Sequence, residues 1–436
     1  MLKWLPRFVR RFFFQSEDAN VIIIFALSLF PIVFLVGLGM DFTSASQKKA
    51  HLDAAADAAA LSAVTPQMAN QTIAATQAFA QQIFNGEAST LTGLSYSQPT
   101  INIVQNGLVR TATVSYTGAS TNAFSGILGK PTWPIAGSST ATSQYSPNVD
   151  FYLLLDNSPS MAIAATSTGI STMVSHTNAQ GGCAFACHES NPAADNLGNP
   201  GGIDNYQYAK NLGVVTRIQN VAKATAALMT TATQTEAQTN AQYRMAIYTF
   251  NTAMNTIQTL TSNLSTAATS AQGIDVQLVY QNNWLTKTNQ NNDTDTNFTT
   301  PMQQINGIMP NPGTGLAGSS PQEVLFLVTD GVEDKIFASC SEPKSGTRCQ
   351  QPFDTSWCTT IKNRGIFIAV LYTEYLPLPT NSWYNQWVAP FQNQISPNMK
   401  SCATPGLFFQ ITTDGDITAA MAALFQTAIT EARLAQ

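Results

Sequence analysis

Three oxygen-bearing side chains recur at alternate positions in Asp156-Asn157-Ser158-Pro159-Ser160, directly after the apolar run Asp150–Asp156 (DFYLLLD). A carboxylate and two hydroxyls so spaced converge when the chain turns sharply off a strand tip. Hard oxygen donors in near-octahedral geometry are what a Mg²⁺-type ion requires. A second carboxylate lies in the same kind of place: Gln322–Val328 (QEVLFLV) ends in Thr329-Asp330-Gly331, where the glycine permits a turn. Between the two lies Asp295-Thr296-Asn297-Phe298-Thr299-Thr300-Pro301-Met302, a loop running into a helix expected over Met302–Ile308. Asp-x-Ser-x-Ser alone is a weak signal, because Asp and Ser are common. Its place at the end of an apolar strand, where open α/β sheets hold ligands, gives it weight. The plainer alternative makes Ser158 or Ser160 a helix N-cap and Asp330 a solvated turn.

Other chemistry finds little support. Cys183-Ala-Phe-Ala-Cys187-His188 has one residue too many for covalent haem attachment, and a local disulfide is the preferred reading. The chain has three histidines, His51, His176 and His188, with neither a His-Glu-x-x-His helix nor a Gly-x-Ser-x-Gly elbow, so no enzyme is expected. Gly129-Lys130 does not close a phosphate loop, because the required upstream glycine falls at Phe124. A net charge of -5, with no basic stripe, speaks against nucleic acid. Charged residues make up only 10% against a usual value of about 25%, so solubility rests on Ser, Thr, Asn and Gln.

The elements that must position these oxygens read as strand–helix alternation. Further strands are expected at Tyr243–Thr249, Gly365–Leu371 and Leu407–Ile411, with helices at 216–235, 355–363 and 416–434. That order predicts an α/β domain with a mainly parallel sheet covered on both faces. The arrangement resembles a von Willebrand A domain with its metal-ion-dependent adhesion site, over residues 149–436. The resemblance implies Asp156, Ser158, Ser160 and Thr296 as ligands, and Asp330 as a ligand directly or through water. The ion would be Mg²⁺, with Mn²⁺ or Ca²⁺ as alternatives, and an acidic residue of a protein partner would complete its shell. The threonine is the weakest member: such loops usually place Gly before it, Asp295 stands there instead, and Thr294, Thr299 and Thr300 are rivals. Long insertions interrupt the pattern at 162–212, 276–294, 338–356 and 374–402. The six cysteines, five of them in these insertions, are read as disulfides that stiffen loops with little core of their own.

The N-terminal region is of another kind. A basic tail (residues 1–18, with Lys3, Arg7, Arg10 and Arg11) precedes the uncharged run Val21–Met40. At about 1.5 Å per helical residue that run matches a hydrocarbon core of roughly 30 Å. A retained anchor over 19–40 is expected, contacting the lipid bilayer through 21–40, with the basic side in the cytoplasm and all that follows outside. Residues 41–64 form an Ala-rich helix in which Leu52, Ala55, Ala56, Ala59 and Ala60 share one face, suited either to close packing or to solvent. Gly39-Met40-Asp41, Lys48-Lys49 and Leu52-Asp53-Ala54-Ala55-Ala56-Asp57 in this order resemble the TadG-like N-terminal segment of Flp (tight-adherence) pilus assembly proteins. That resemblance implies a bacterial inner-membrane protein with a periplasmic C-terminal domain and a pilus or envelope partner. The alternative is a surface adhesin or receptor using the same domain. Residues 65–148 read as a small α+β spacer: a hairpin, Thr100–Val104 and Leu108–Tyr116 around Asn106-Gly107, then a strand near Thr132–Ala136, with Phe124, Ile127 and Leu128 capping the sheet.

Overall fold

The computed structural model describes residues 17–183, 198–276, 296–336, 340–344, 348–379 and 382–434. The chain divides into two units, Met1–Gln144 and Tyr145–Gln436.

In the first unit, α1 (Glu17–Ala63) runs unbroken through both the apolar run and the Ala-rich stretch. Nothing after Asp41 interrupts helix propensity until Pro66, and Pro31 is carried inside the helix. It is the one helix among the described residues long and apolar enough to cross a membrane. Next come α2 (Ile73–Ala88), β1 (Leu94–Tyr96), β2 (Thr100–Asn106), β3 (Val109–Thr121) and β4 (Thr132–Gln144). β3 is central, pairing antiparallel with β4 along its whole length and with β2 and β1. β4 outruns the expected Thr132–Ala136 because its second half is Ser and Thr, which carry no hydrophobic alternation. Those side chains form hydroxyl pairs across the strands instead: Thr111–Thr142, Thr113–Thr140 and Ser115–Ser138, at 3.1, 3.0 and 2.9 Å.

The Ala-rich face of α1 packs rather than facing solvent. Leu52, Ala55, Ala56, Ala59 and Ala60 are buried with Phe84, Val114, Tyr116 and Ile135. Small side chains let helix and sheet approach closely: a Cβ on Gly137 would sit 2.3 Å from Asp53 Oδ1. Asp53 in turn accepts a 2.6 Å hydrogen bond from Tyr116. The expected cap of Phe124, Ile127 and Leu128 is not found. Ile127 and Leu128 are 74% and 59% exposed, and Phe124 lies against Gly37 of α1. A short turn with three apolar residues does not reveal which side it faces, and here a contact with α1 decides it.

The second unit is a six-stranded sheet in the order β12-β11-β8-β5-β6-β7, built from β5 (Val149–Asp156), β6 (Tyr243–Phe250), β7 (Met254–Thr261), β8 (Gln322–Thr329), β11 (Phe367–Thr373) and β12 (Phe408–Ile411). All neighbours are parallel except β7, an antiparallel edge. Every residue of β5 and β8 is buried, as befits central strands covered on both faces. One face packs Phe151, Leu153 and Phe326 against α5 (Arg217–Thr239) and α11 (Ile417–Leu434). The other packs Leu154, Leu325 and Leu327 with Met302 and Ile305 of α7 (Thr299–Ile308) and Ile395 and Met399 of α10 (Gln392–Cys402). The mainly parallel direction and the two-sided covering are those expected from the sequence, and the antiparallel edge β7 is an addition to it.

The described parts of the insertions hold regular elements. Region 162–212 holds α3 (Ser167–His176) and α4 (Asn205–Asn211), with α6 (Leu264–Ala271) following β7. Region 374–402 is largely helical, α9 (Ser382–Trp387) then α10, and contributes Tyr384, Val388 and Phe391 to the core. β9 (Val332–Ile336) and β10 (Arg348–Pro352) form a hairpin, and α8 (Ser356–Lys362) follows it. Cys340–Cys349 and Cys358–Cys402 are disulfides, and Cys183 is also disulfide-bonded. Cys349, Cys358 and Cys402 are fully buried, so these bridges fasten core rather than bare loop. Cys187, His188 and most of 276–294 lie outside the described residues.

Candidate metal site at the strand tips

β5 and β8 are adjacent and parallel, so their carboxyl ends bring Asp156 and Asp330 to the same end of the sheet. Both side chains are fully buried. Past Asp156 the chain turns, with Ser158 extended and Pro159–Ala162 a short 3-10 turn. The turn returns the Ser158 N–H to Asp156 Oδ1 at 2.9 Å, and the Ser158 and Ser160 hydroxyls meet at 3.1 Å. Ser158 stands at the N-cap position of that turn but makes no side-chain capping bond. On β8, the Thr329 hydroxyl donates to Asp156 Oδ2 at 2.6 Å and accepts from the Gly331 N–H at 3.0 Å. Gly331 adopts φ 78°, where a Cβ would strike Ile395 at 2.7 Å.

The two carboxylates differ in how well they are satisfied. Asp156 accepts from Thr329 and from the Ser158 backbone. Asp330 is approached by the Ser160 hydroxyl, its Oδ1 takes a long contact from the Val332 N–H at 3.4 Å, and its buried Oδ2 has no hydrogen-bond partner. Burial pushes the Asp156 carboxyl above its usual range, and the charge of Asp330 pushes it further. Burial raises Asp330 as well, against the Ser160 hydroxyl and Arg217 beside it. Arg217, at the first turn of α5, is itself buried, and its Nη1 has no hydrogen-bond partner. Among the described residues neither carboxylate has an ion pair within hydrogen-bonding range. Two buried acids, one with an open oxygen, and two hydroxyls form a set of hard oxygen donors of the kind that suits a divalent ion. Among the described residues no three His, Cys, Asp or Glu side chains converge, here or elsewhere, so the strand-tip set has two acids and otherwise relies on hydroxyls.

Thr296 is held beside these tips by backbone. It forms an antiparallel bridge with Asp334 of β9, N–H to C=O at 3.0 and 2.9 Å. Asn297 N–H bonds to the Asn251 carbonyl at the end of β6, and the Asn251 amide bonds to Asn157 at 3.0 Å. The Thr296 side chain is buried, and its hydroxyl makes no hydrogen bond among the described residues. Thr299 is engaged by Lys335 and Glu333, and Thr300 by Asn297, which sets both apart from Thr296. Asp293, Thr294 and Asp295 lie outside the described residues. Sequence reasoning missed Thr329, Arg217 and Glu333. Glu333 is fully buried and accepts from the Phe298 N–H at 3.3 Å and from Gln351 at 3.0 Å, tying the Thr296 loop to the β9–β10 hairpin. Only Thr329 left a trace, as the hydroxyl preceding the strand-tip acid.

A mainly parallel sheet with one antiparallel edge, helices on both faces and oxygen-bearing side chains at the carboxyl ends of its central strands is the α/β architecture expected of a von Willebrand A-type domain. Upstream of it, residues 20–71 match the putative Flp pilus-assembly TadE/G-like family. Similar solved structures include the vWF domain of the type V pili tip protein Mfa5 from Porphyromonas gingivalis (10% identity, 66% of this chain and 96% of that one, TM-score 0.35). The PilB minor pilin from Streptococcus sanguinis is also similar (10% identity, 78% of each chain, TM-score 0.32). So is proximal thread matrix protein 1 from the mussel byssus, with a zinc-occupied MIDAS motif (11% identity, 66% of this chain and 46% of that one, TM-score 0.33). No curated protein matches the sequence.

Proposed function

We propose that this pilus-related protein is anchored in the bacterial inner membrane by Val21–Met40, with its A domain in the periplasm, where it binds a pilus or envelope component in a metal-dependent way. Asp156, Ser158, Ser160, Thr296 and Asp330 would hold the ion, Asp330 directly or through water. A bound divalent ion supplies a coordination position for an acidic side chain of the partner. The chain's own contribution is to hold the oxygens: β5 and β8 fix the carboxylates, Thr329 orients Asp156, and the β9–β10 hairpin carries Thr296. Binding without turnover is the expected activity. Charge favours this orientation, because the basic residues precede the apolar run and Asp41 follows it.

The observation that carries this reading is the buried, unpartnered Oδ2 of Asp330 facing a second buried acid. Calorimetric titration of the detergent-solubilised chain with Mg²⁺ and Mn²⁺ tests it. Binding is expected in the wild type and should vanish in Asp156→Ala; equal binding by both would remove the site assignment. Piliation retained in an Asp156→Ala strain would detach metal binding from assembly.

A further inference from the structure

The turn that was expected to cap the small sheet faces outward, at one defined level of α1. Phe124 packs on Gly37, where an added Cβ would lie 2.4 Å from its ring. One helical turn further, the buried carboxylate of Asp41 accepts the backbone N–H groups of Ala123, Phe124 and Ser125 and the Ser125 hydroxyl, at 2.8, 3.1, 2.6 and 2.7 Å. Gly37 and Asp41 bracket the end of the apolar run at Met40, so the turn is held where a spanning helix leaves hydrocarbon for headgroups. Asp41 is fully satisfied there without water, which is how a carboxylate can stand at that boundary.

The exposed side chains at this level are apolar or interfacial in character. Ile127, Leu128 and Trp133 are 74%, 59% and 37% exposed. Trp133 meets Phe42 of α1 edge-to-face, centroids 5.7 Å apart. Leu38, Leu128, Trp133 and Lys130 line a cleft of about 480 Å³ between turn and helix. At the same level of the helix, Val36 and Met40 are 60% and 59% exposed. A tryptophan with a neighbouring lysine suits the headgroup layer, the ring spanning the polarity gradient and the ammonium reaching phosphate.

We propose that residues 123–134 are a membrane foot: Phe124, Ile127, Leu128 and Trp133 rest in the interfacial layer of the leaflet at the Met40 end of the helix, with Lys130 meeting lipid phosphates. The bilayer would then hold the first unit at two points, the helix and the turn, and fix its orientation about the helix axis. This rests on the reading of Val21–Met40 as membrane-spanning.

The test uses the full chain in nanodiscs of phosphatidylcholine and phosphatidylglycerol, with a nitroxide on Leu128→Cys or, as a second position, Ile127→Cys. Relaxation by oxygen is compared with relaxation by a water-soluble nickel chelate. Val36→Cys serves as the bilayer reference, and Asn102→Cys, on β2, as the aqueous one. The oxygen-to-nickel ratio at 127 and 128 is expected several-fold above that at 102, approaching that at 36. Ratios at 127 and 128 equal to that at 102, with position 36 lipid-like, overturn the foot and leave the anchor standing. Shielding of 127 and 128 from both reagents means that protein covers the turn, and also overturns it. A water-like Val36 removes the anchor and the foot together.

Discussion

Replacing Glu323 by Gln removes a charge that the fold is poorly placed to hold. Glu323 is buried on β8, directly opposite Asp150 on β5, and its Oε2 has no hydrogen-bond partner. The nearest cation, Arg244, is committed to Asp150, with Nε donating at 2.7 Å. Burial and the charge of Asp150 push the Glu323 carboxyl from 4.5 up to about 9. Because the folded form holds its proton more tightly than the unfolded chain, this group favours folding fully below pH 4.5 and progressively less as the pH rises toward 9. Each unit of pH in that window is worth about 1.4 kcal/mol, so at pH 7 the native state has lost on the order of 3 kcal/mol, an upper limit if the interior relaxes. Gln has nearly the same shape and does not titrate. Thermal unfolding of wild type and Glu323→Gln, followed from pH 4 to pH 8, should show coincident midpoints at the acid end. The variant should pull ahead by several degrees near neutrality, since for a domain of this size 1 kcal/mol moves the midpoint by roughly 2–4 °C. Parallel curves, or a wild type that gains on the variant as pH rises, would refute the reasoning.

Two further outcomes follow from the same geometry. Gly331→Ala forces a Cβ into Ile395 and Met399 at a backbone angle that alanine rarely adopts, so it should cost roughly 1–3 kcal/mol. It should also weaken Mg²⁺ binding by displacing Asp330; calorimetry showing wild-type affinity would separate the turn from the site. The Asp41 carboxyl is held down at about 2, mainly by the Ser125 N–H, so its support for the turn is complete above its usual value of 3.8 and fades as the pH falls toward 2. Asp41→Asn should therefore speed hydrogen exchange at Ala123 to Ser125 at neutral pH, and unchanged protection would contradict the role given to the carboxylate.

What could be read from the sequence divides along physical lines. β5 and β8 announce themselves because burial on both faces demands nearly unbroken apolar runs, and the acids closing those runs, Asp156 and Asp330, inherit a definite position. The Ala-rich face of α1 was legible as a face but not as a contact, since small residues suit solvent and packing equally. β9 and β10, VEDKI and RCQQP, are polar strands joined by the Arg348–Asp334 ion pair, with Lys335 and Glu333 paired within β9, and no hydrophobic period marks them. The support of Thr296 was hidden for that reason. β7 is an edge strand, only partly buried, where alternation is weak. Asp41 and Ser125 are 84 residues apart in the chain, a separation at which local pattern says nothing about contact.

The same two strands carry an acidic pair at each end, which makes one pair a control for the other. At the entry ends, Asp150 is clasped by Arg244 through two nitrogens, and Glu323 beside it has a strongly raised affinity for its proton. Charge there is cancelled by the protein itself, and a guanidinium leaves no room for a metal ion. At the exit ends, Asp156 and Asp330 receive only hydroxyls and backbone N–H groups, and Arg217 stands near Asp330 without bonding to it. Hydroxyls can rotate to present lone pairs, whereas a guanidinium can only donate. If the exit pair were merely structural, the arrangement at the entry would serve it equally well. The difference between the ends is what the proposed metal site would require.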